Sequence, residues 1–318
     1  MKLRGKIKIG ILVILLLQSG CGKKESYTNK LISQGKEVSM ICNEKIELEK
    51  QLFSEDNRID HPVDLAIDND YIYVVNQGKN EILCFNRLGE LVDSFGSVGQ
   101  GQGEFTNPES IAISDDYIYV VEKESCRIQK FNKKFEYIDE IKMDQLQKAL
   151  SIGAYDLAVN DDEVIFLSVI GTNNELTKVY KIEPNGKVVS IGDSLIGSMD
   201  VYSNNMYYVQ SYMVKQNEYG SGKSFIAYEE NNDLKLLTNL PDNYTPTGIK
   251  VTDNDIFVLS QSFFQIDRYS KDGAYISTMY CEDATNQTYM QHMAMDQNNF
   301  YLTDTKNNKI YVFYPVGE

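Results

Sequence analysis

The sequence predicts an all-β fold: a six-bladed β-propeller of four-stranded antiparallel blades, its ring closed by an N-terminal strand. Three observations predict it. One strand pair recurs six times, the copies are spaced like propeller blades, and a segment before the first copy matches a strand missing from the last. The spacing comes from aligned anchors: Ile72, Ile118, Val164, Met206, Ile256 and Phe300 are 46, 46, 42, 50 and 44 residues apart. A period of about 40–50 residues with short β-branched strands belongs to propeller blades.

In chain order, residues 1–20 read as an export signal. Lys2, Arg4, Lys6 and Lys8 precede the apolar run 9–17, which is too short to span a bilayer and suits a signal core. Gln18-Ser19-Gly20-Cys21 resembles a bacterial lipoprotein cleavage box, with Gln18 where an aliphatic residue is usual. That resemblance implies lipidation of Cys21 and anchoring outside the cytoplasm. Residues 21–36 are polar and read as a tether. Residues 37–318 form the propeller, with 37–53 the closing strand. Phe300 and the residues after it supply only two strands of the last blade, so 37–53 provides its outer edge and leaves no open edge.

Within each unit, a cluster such as Asp68-Asn69-Asp70 makes the turn between two β-branched strands. A third strand follows, as in Glu81–Phe85, Arg127–Phe131 and Lys309–Phe313. One aromatic column comprises Tyr73, Tyr119, Tyr207, Phe257 and Tyr301, with Ile165 as the exception. A second comprises Phe85, Phe131, Tyr228, Tyr269 and Phe313, with Ile182 as the exception. Both read as core packing.

The run from Gly96 to Pro108, ending Gly-Glu-Phe-Thr-Asn-Pro, followed by Ile111-Ala-Ile and Cys126-Arg-Ile-Gln-Lys-Phe131, resembles an NHL-type repeat. The resemblance is specific over about residues 55–145. It makes the glycine run an inter-blade loop, and no helix follows that would turn it into a phosphate cradle. As a whole the chain resembles six-bladed β-propeller lipoproteins of bacteria.

Composition narrows the function. The net charge is −15, and loss of the four positive charges of residues 1–20 takes it to −19, which disfavours nucleic acid and other polyanions. The two histidines, His61 and His292, exclude a three-histidine metal site. Cys42, Cys84, Cys126 and Cys281 lack metal-site spacing; they read as free thiols, although four cysteines allow three pairings.

Ligands of propellers bind where innermost strands begin. The residue just before each innermost strand's first hydrophobe is Asp64, Ser110, Asp156, Ser198, Gly248 and His292. Asp64, Asp156 and His292 form a candidate cation site, with Asp156 expected farther round the ring than the Asp64–His292 neighbours. Two positions further along stand four alanines and, in blades four and five, Asp200 and Lys250, expected to pair across the gap between blades. Connections between second and third strands lengthen in blades three and four, and Tyr212, Lys215 and Tyr219 are candidate ligand contacts there.

No Ser-His-Asp arrangement is legible. The expected function is therefore an extracytoplasmic, lipid-anchored binding or scaffold module for a glycan, peptide or protein partner, needing no cofactor. The alternative is an enzyme of the calcium-dependent lactonase or lyase type, with its site at the channel mouth.

Overall fold

The structure is a computed structural model and describes residues 45–54, 56–142, 153–171, 177–210, 224–241, 244–260, 265–281, 292–297 and 299–316. Residues 1–44, with Cys21, Cys42, the signal segment, the tether and the first part of the closing segment, lie outside the described residues. So do Tyr212, Lys215 and Tyr219.

Six blades follow in chain order, each numbered from the channel outward. Blade one is β2 (Pro62–Ile67), β3 (Tyr71–Asn76), β4 (Glu81–Asn86) and β5 (Leu91–Phe95). Blade two is β6 (Pro108–Ile113), β7 (Tyr117–Glu122), β8 (Arg127–Asn132) and β9 (Tyr137–Lys142). Blade three is β10 (Ala154–Val159), β11 (Ile165–Val169), β12 (Lys178–Ile182) and β13 (Val188–Asp193). Blade four is β14 (Gly197–Tyr202), β15 (Asn205–Gln210), β16 (Phe225–Glu230) and β17 (Asp233–Asn239). Blade five is β18 (Pro246–Val251), β19 (Asp255–Ser260), β20 (Gln265–Ser270) and β21 (Tyr275–Tyr280). Blade six takes β22 (Met293–Asp296), β23 (Asn299–Asp304) and β24 (Lys309–Pro315) from the end of the chain. Its fourth strand is β1 (Lys45–Ser54), which runs antiparallel to β24 with Gln51 opposite Val312. The first residues of β1 also pair in parallel with β21, Ile46 opposite Met279, so blades five and six share one eight-stranded sheet.

Alternating strands bury apolar side chains on both faces of a blade, because each blade is covered by its two neighbours. Six clusters of buried apolar side chains lie among the described residues, one at each seam. At the seam of blades one and two, Tyr73, Val75 and Ile82 meet Phe105, Ile111 and Ile118. Each large side chain so buried contributes about 1.5–3 kcal/mol before entropy is set against it. With the apolar cores at the seams, the axis is left as a channel.

The ladders revise two assignments. In blade three Phe166, not Ile165, stands opposite Ala158, as Tyr73 stands opposite Ala66. The turn Asn160–Val164 holds one extra residue, with Glu163 at φ 59°, so the first aromatic column is complete in all six blades. In blade four Tyr228 pairs with Tyr207, the position of Cys84 rather than of Phe85. Glu229 takes the next place and bonds Lys181 of blade three at 3.1 Å, so a charge pair replaces a buried ring there.

The glycine run is an inter-blade loop leading into β6. Arg127, 1% exposed, clamps it by donating to the carbonyls of Gln100, Gly101 and Glu104. Its Nε meets Glu122 at 2.7 Å and a terminal nitrogen meets Glu140 at 2.8 Å. Cys84 is a buried free thiol, and Cys126 Sγ donates to the Lys123 carbonyl at 3.1 Å.

Candidate metal centre in the channel

The innermost strands reach the channel by a shared local device. In β2, β6, β10 and β18 a β-bulge inserts one extra residue (Val63, Glu109, Tyr155 and Thr247) immediately before the site position. A bulge re-aims the residue that follows it. Here it brings Asp64, Ser110, Asp156 and Gly248 into one layer with Ser198 and His292.

In this layer aspartate and serine alternate, and each aspartate grips the next blade. Asp64 Oδ2 accepts from Ser110 Oγ at 2.6 Å and from the Ile111 N–H at 3.0 Å, while Oδ1 accepts from the Leu65 N–H at 2.7 Å. Asp156 repeats the pattern: Oδ2 accepts from Ser198 Oγ at 2.6 Å and the Met199 N–H at 2.7 Å, and Oδ1 from the Leu157 N–H at 2.8 Å. These N–H groups lie on the free edges of innermost strands, where an unpaired donor would be costly. The third pair of the alternation is Gly248 and His292. A side chain at Gly248 would stand 3.3 Å from Met293 Cβ, so glycine lets blade six approach.

His292 Nδ1 lies 3.9 Å from Asp64 Oδ1 and 3.8 Å from Asp156 Oδ1. Asp156 sits farther round the ring, in blade three, yet across the channel it is as near to the imidazole as Asp64 is. Both separations are too long for hydrogen bonds and suit an ion held between the groups. One donor atom from each residue lies within 4.8 Å of the others, and all three side chains are buried. Each Oδ1 keeps a lone pair beyond its backbone partner, so the donors fit a divalent cation. Burial pushes the Asp156 carboxyl up; Asp64 adds to this, His292 and the Ser198 and Met199 donors oppose it, and the net direction is upward. The Tyr155 ring packs against that of His292 on the bulge side of the layer, with centroids 5.7 Å apart. Tyr155 escaped the sequence reading because only the bulge distinguishes it from an ordinary strand residue.

Two residues further along, Lys250 Nζ meets Asp200 Oδ1 at 2.9 Å, and Asp200 Oδ2 accepts from the Val251 N–H at 2.7 Å. Burial alone would lower the lysine's pKa, yet Asp200, with Asp156 and Asp64 behind it, leaves it raised. A cavity of about 270 Å³ runs from the Asp64–Asp156–His292 layer past this pair to Thr252 and Gln297. Its lining begins at that layer and extends toward the turns joining first and second strands. Three carboxylates and one ammonium line it.

The sequence profile of a family described as 6-bladed beta-propeller matches residues 36–215. Among curated proteins, no sequence matches this chain. Solved structures of similar shape include regucalcin, a calcium-binding protein from Agrobacterium tumefaciens (TM-score 0.61, 10% identity, 86% of this chain and 97% of that one). A putative exported protein from Bacteroides fragilis is similar at TM-score 0.59 and 11% identity, covering 89% and 98%. Virginiamycin B lyase from Staphylococcus aureus is similar at 0.58 and 11%, covering 84% and 98%. At these identities the likeness shows the fold alone.

Proposed function

The chain belongs to this 6-bladed β-propeller family, and from that premise we propose that it is a binding module holding a divalent cation in its channel. One observation carries the reading: buried Asp64, Asp156 and His292, from three blades, converge on a single point. The mixed oxygen and nitrogen donors suit Mn²⁺ or Zn²⁺ better than Ca²⁺, which takes about six to eight oxygens. Three protein donors leave coordination positions open toward the cavity for oxygens of a ligand. A glycan, peptide or protein partner offers such oxygens, and the acidic charge disfavours nucleic acid. In this proposal lipidated Cys21 anchors the propeller outside the cytoplasm on the 21–36 tether. The lengthened connections carrying Tyr212, Lys215 and Tyr219 then supply partner contacts. Among the described residues no helix is long and apolar enough to cross a membrane.

The test is calorimetric titration and thermal unfolding of the mature chain with Mn²⁺, Zn²⁺, Ca²⁺ or a chelator. One ion per chain is expected, with about 2.7 kcal/mol of added stability at a hundredfold excess over Kd. The gain should vanish in Asp64→Asn combined with Asp156→Asn. No binding of any of the three ions would overturn the reading, and turnover of simple lactones by the ion-loaded protein would move it toward an enzyme.

A further inference from the structure

We propose that Lys250 is the resident counter-ion of the cation site, a tethered ammonium that sets the site's affinity, and that Asp200 is the positioning residue holding it back. The inference rests on the cation reading above and concerns what that site competes with.

Asp64, Asp156 and Asp200 face the same cavity as Lys250. The Asp200–Lys250 layer lies two strand residues from the Asp64–Asp156–His292 layer, about 6.6 Å along the channel. The lysine stem has four methylenes and is partly exposed to the cavity, so its head can move between the layers. Asp200 opposes that movement by a direct bond, and is itself fixed by the Val251 N–H. Around the rest of this second layer stand Ala66, Ala112, Ala158 and Ala294, which leave the cavity open and offer Lys250 no other carboxylate.

From the Asp64–Asp156–His292 layer the cavity continues past Lys250 toward the turns joining first and second strands. Beside that end is a second hollow, bordered by Asp68, Asp70, Asp115 and Asp161, with Lys133 paired to Asp68. A cation entering from that end reaches the Lys250 layer before the site, and feels the ammonium both in passing and once seated. Lys250 thus neutralises the acidic channel without an ion, and weakens ion binding by like-charge repulsion across a low-dielectric gap.

The experiment is titration of the mature chain with Mn²⁺ alone, read as Kd. Lys250→Met should tighten binding at least tenfold. Asp200→Asn releases the ammonium toward Asp64 and Asp156 and should weaken binding at least tenfold. The neutral pair Asp200→Asn with Lys250→Met leaves no unpaired charge in the second layer, so it tests the idea even if Lys250→Met folds poorly; it too should bind more tightly than wild type. If wild type binds Mn²⁺ and both Met-containing variants bind it equally or more weakly, the counter-ion role is overturned while the cation reading stands. If wild type fails to bind, the cation reading falls and the counter-ion role falls with it, whatever the Met variants do.

Discussion

Lys250 of blade five and Asp200 of blade four meet at 2.9 Å across the gap between β18 and β14, where the other four blades carry alanine. Desolvation offsets most of the attraction in such a pair, so its net worth is small while the cost of halving it is large. Lys250→Ala should cost about 1–3 kcal/mol in urea unfolding, and adding Asp200→Ala should recover most of that loss. Equal losses in the single and double variants would show that the two groups do not depend on each other.

Glu109 makes stability depend on pH. Burial raises its carboxyl to about 7, against a bond from the Ala154 N–H that favours the charged form. A carboxyl raised in the folded state is most favourable when protonated. Its contribution is therefore full below about pH 4.5, falls as pH rises to about 7, and is flat beyond. Glu109→Gln should match wild type near pH 4 and exceed it by on the order of 1–3 kcal/mol at pH 8. Thermal unfolding across that range would show the curves diverging; parallel curves would refute the assignment.

Arg127 should tolerate no substitute. Its five donors reach two carboxylates and three loop carbonyls, and Glu122 beside it is fully buried. Lysine lacks the planar fork, so Arg127→Lys should cost about 3–5 kcal/mol. Limited proteolysis should then cut within residues 96–105, a site the wild type protects.

Ring closure depends on the buried positions of β1. Leu48 is 2% exposed and packs with Phe257, Met279 and Phe313, whereas Leu52 is 39% exposed. Leu48→Asp should lower stability by more than about 3 kcal/mol and Leu52→Asp by less than about 1 kcal/mol. Comparable melting temperatures in the two variants would contradict this packing.

Blade architecture was legible because strand alternation and aspartate-rich turns repeat at a regular period. The candidate site layer was legible for the same reason: equivalent positions in a closed ring face one axis, so Asp64, Asp156 and His292 could be aligned without knowing distances. The one-residue lengthening before Ile165 was hidden, since Val164 and Ile165 fit the pattern equally well in one dimension. The nearness of Asp156 to His292 was hidden too. It depends on bulges at Val63 and Tyr155 and on the close approach allowed at Gly248, and none of these has a periodic signature.

The pairing of β1 with β24 sets a timetable for synthesis. About 260 residues separate Ser54 from Pro315, which a ribosome adding about 5–20 residues per second makes in roughly 13–50 s. Throughout that interval the first strand waits without its partner while five complete blades emerge. Its opening, Lys-Ile-Glu-Leu-Glu-Lys, intersperses charge among the apolar residues it must later bury. Such interruptions keep a waiting strand from joining its counterpart on another nascent chain, so the charged residues written into this segment serve the protein while it is still unfinished.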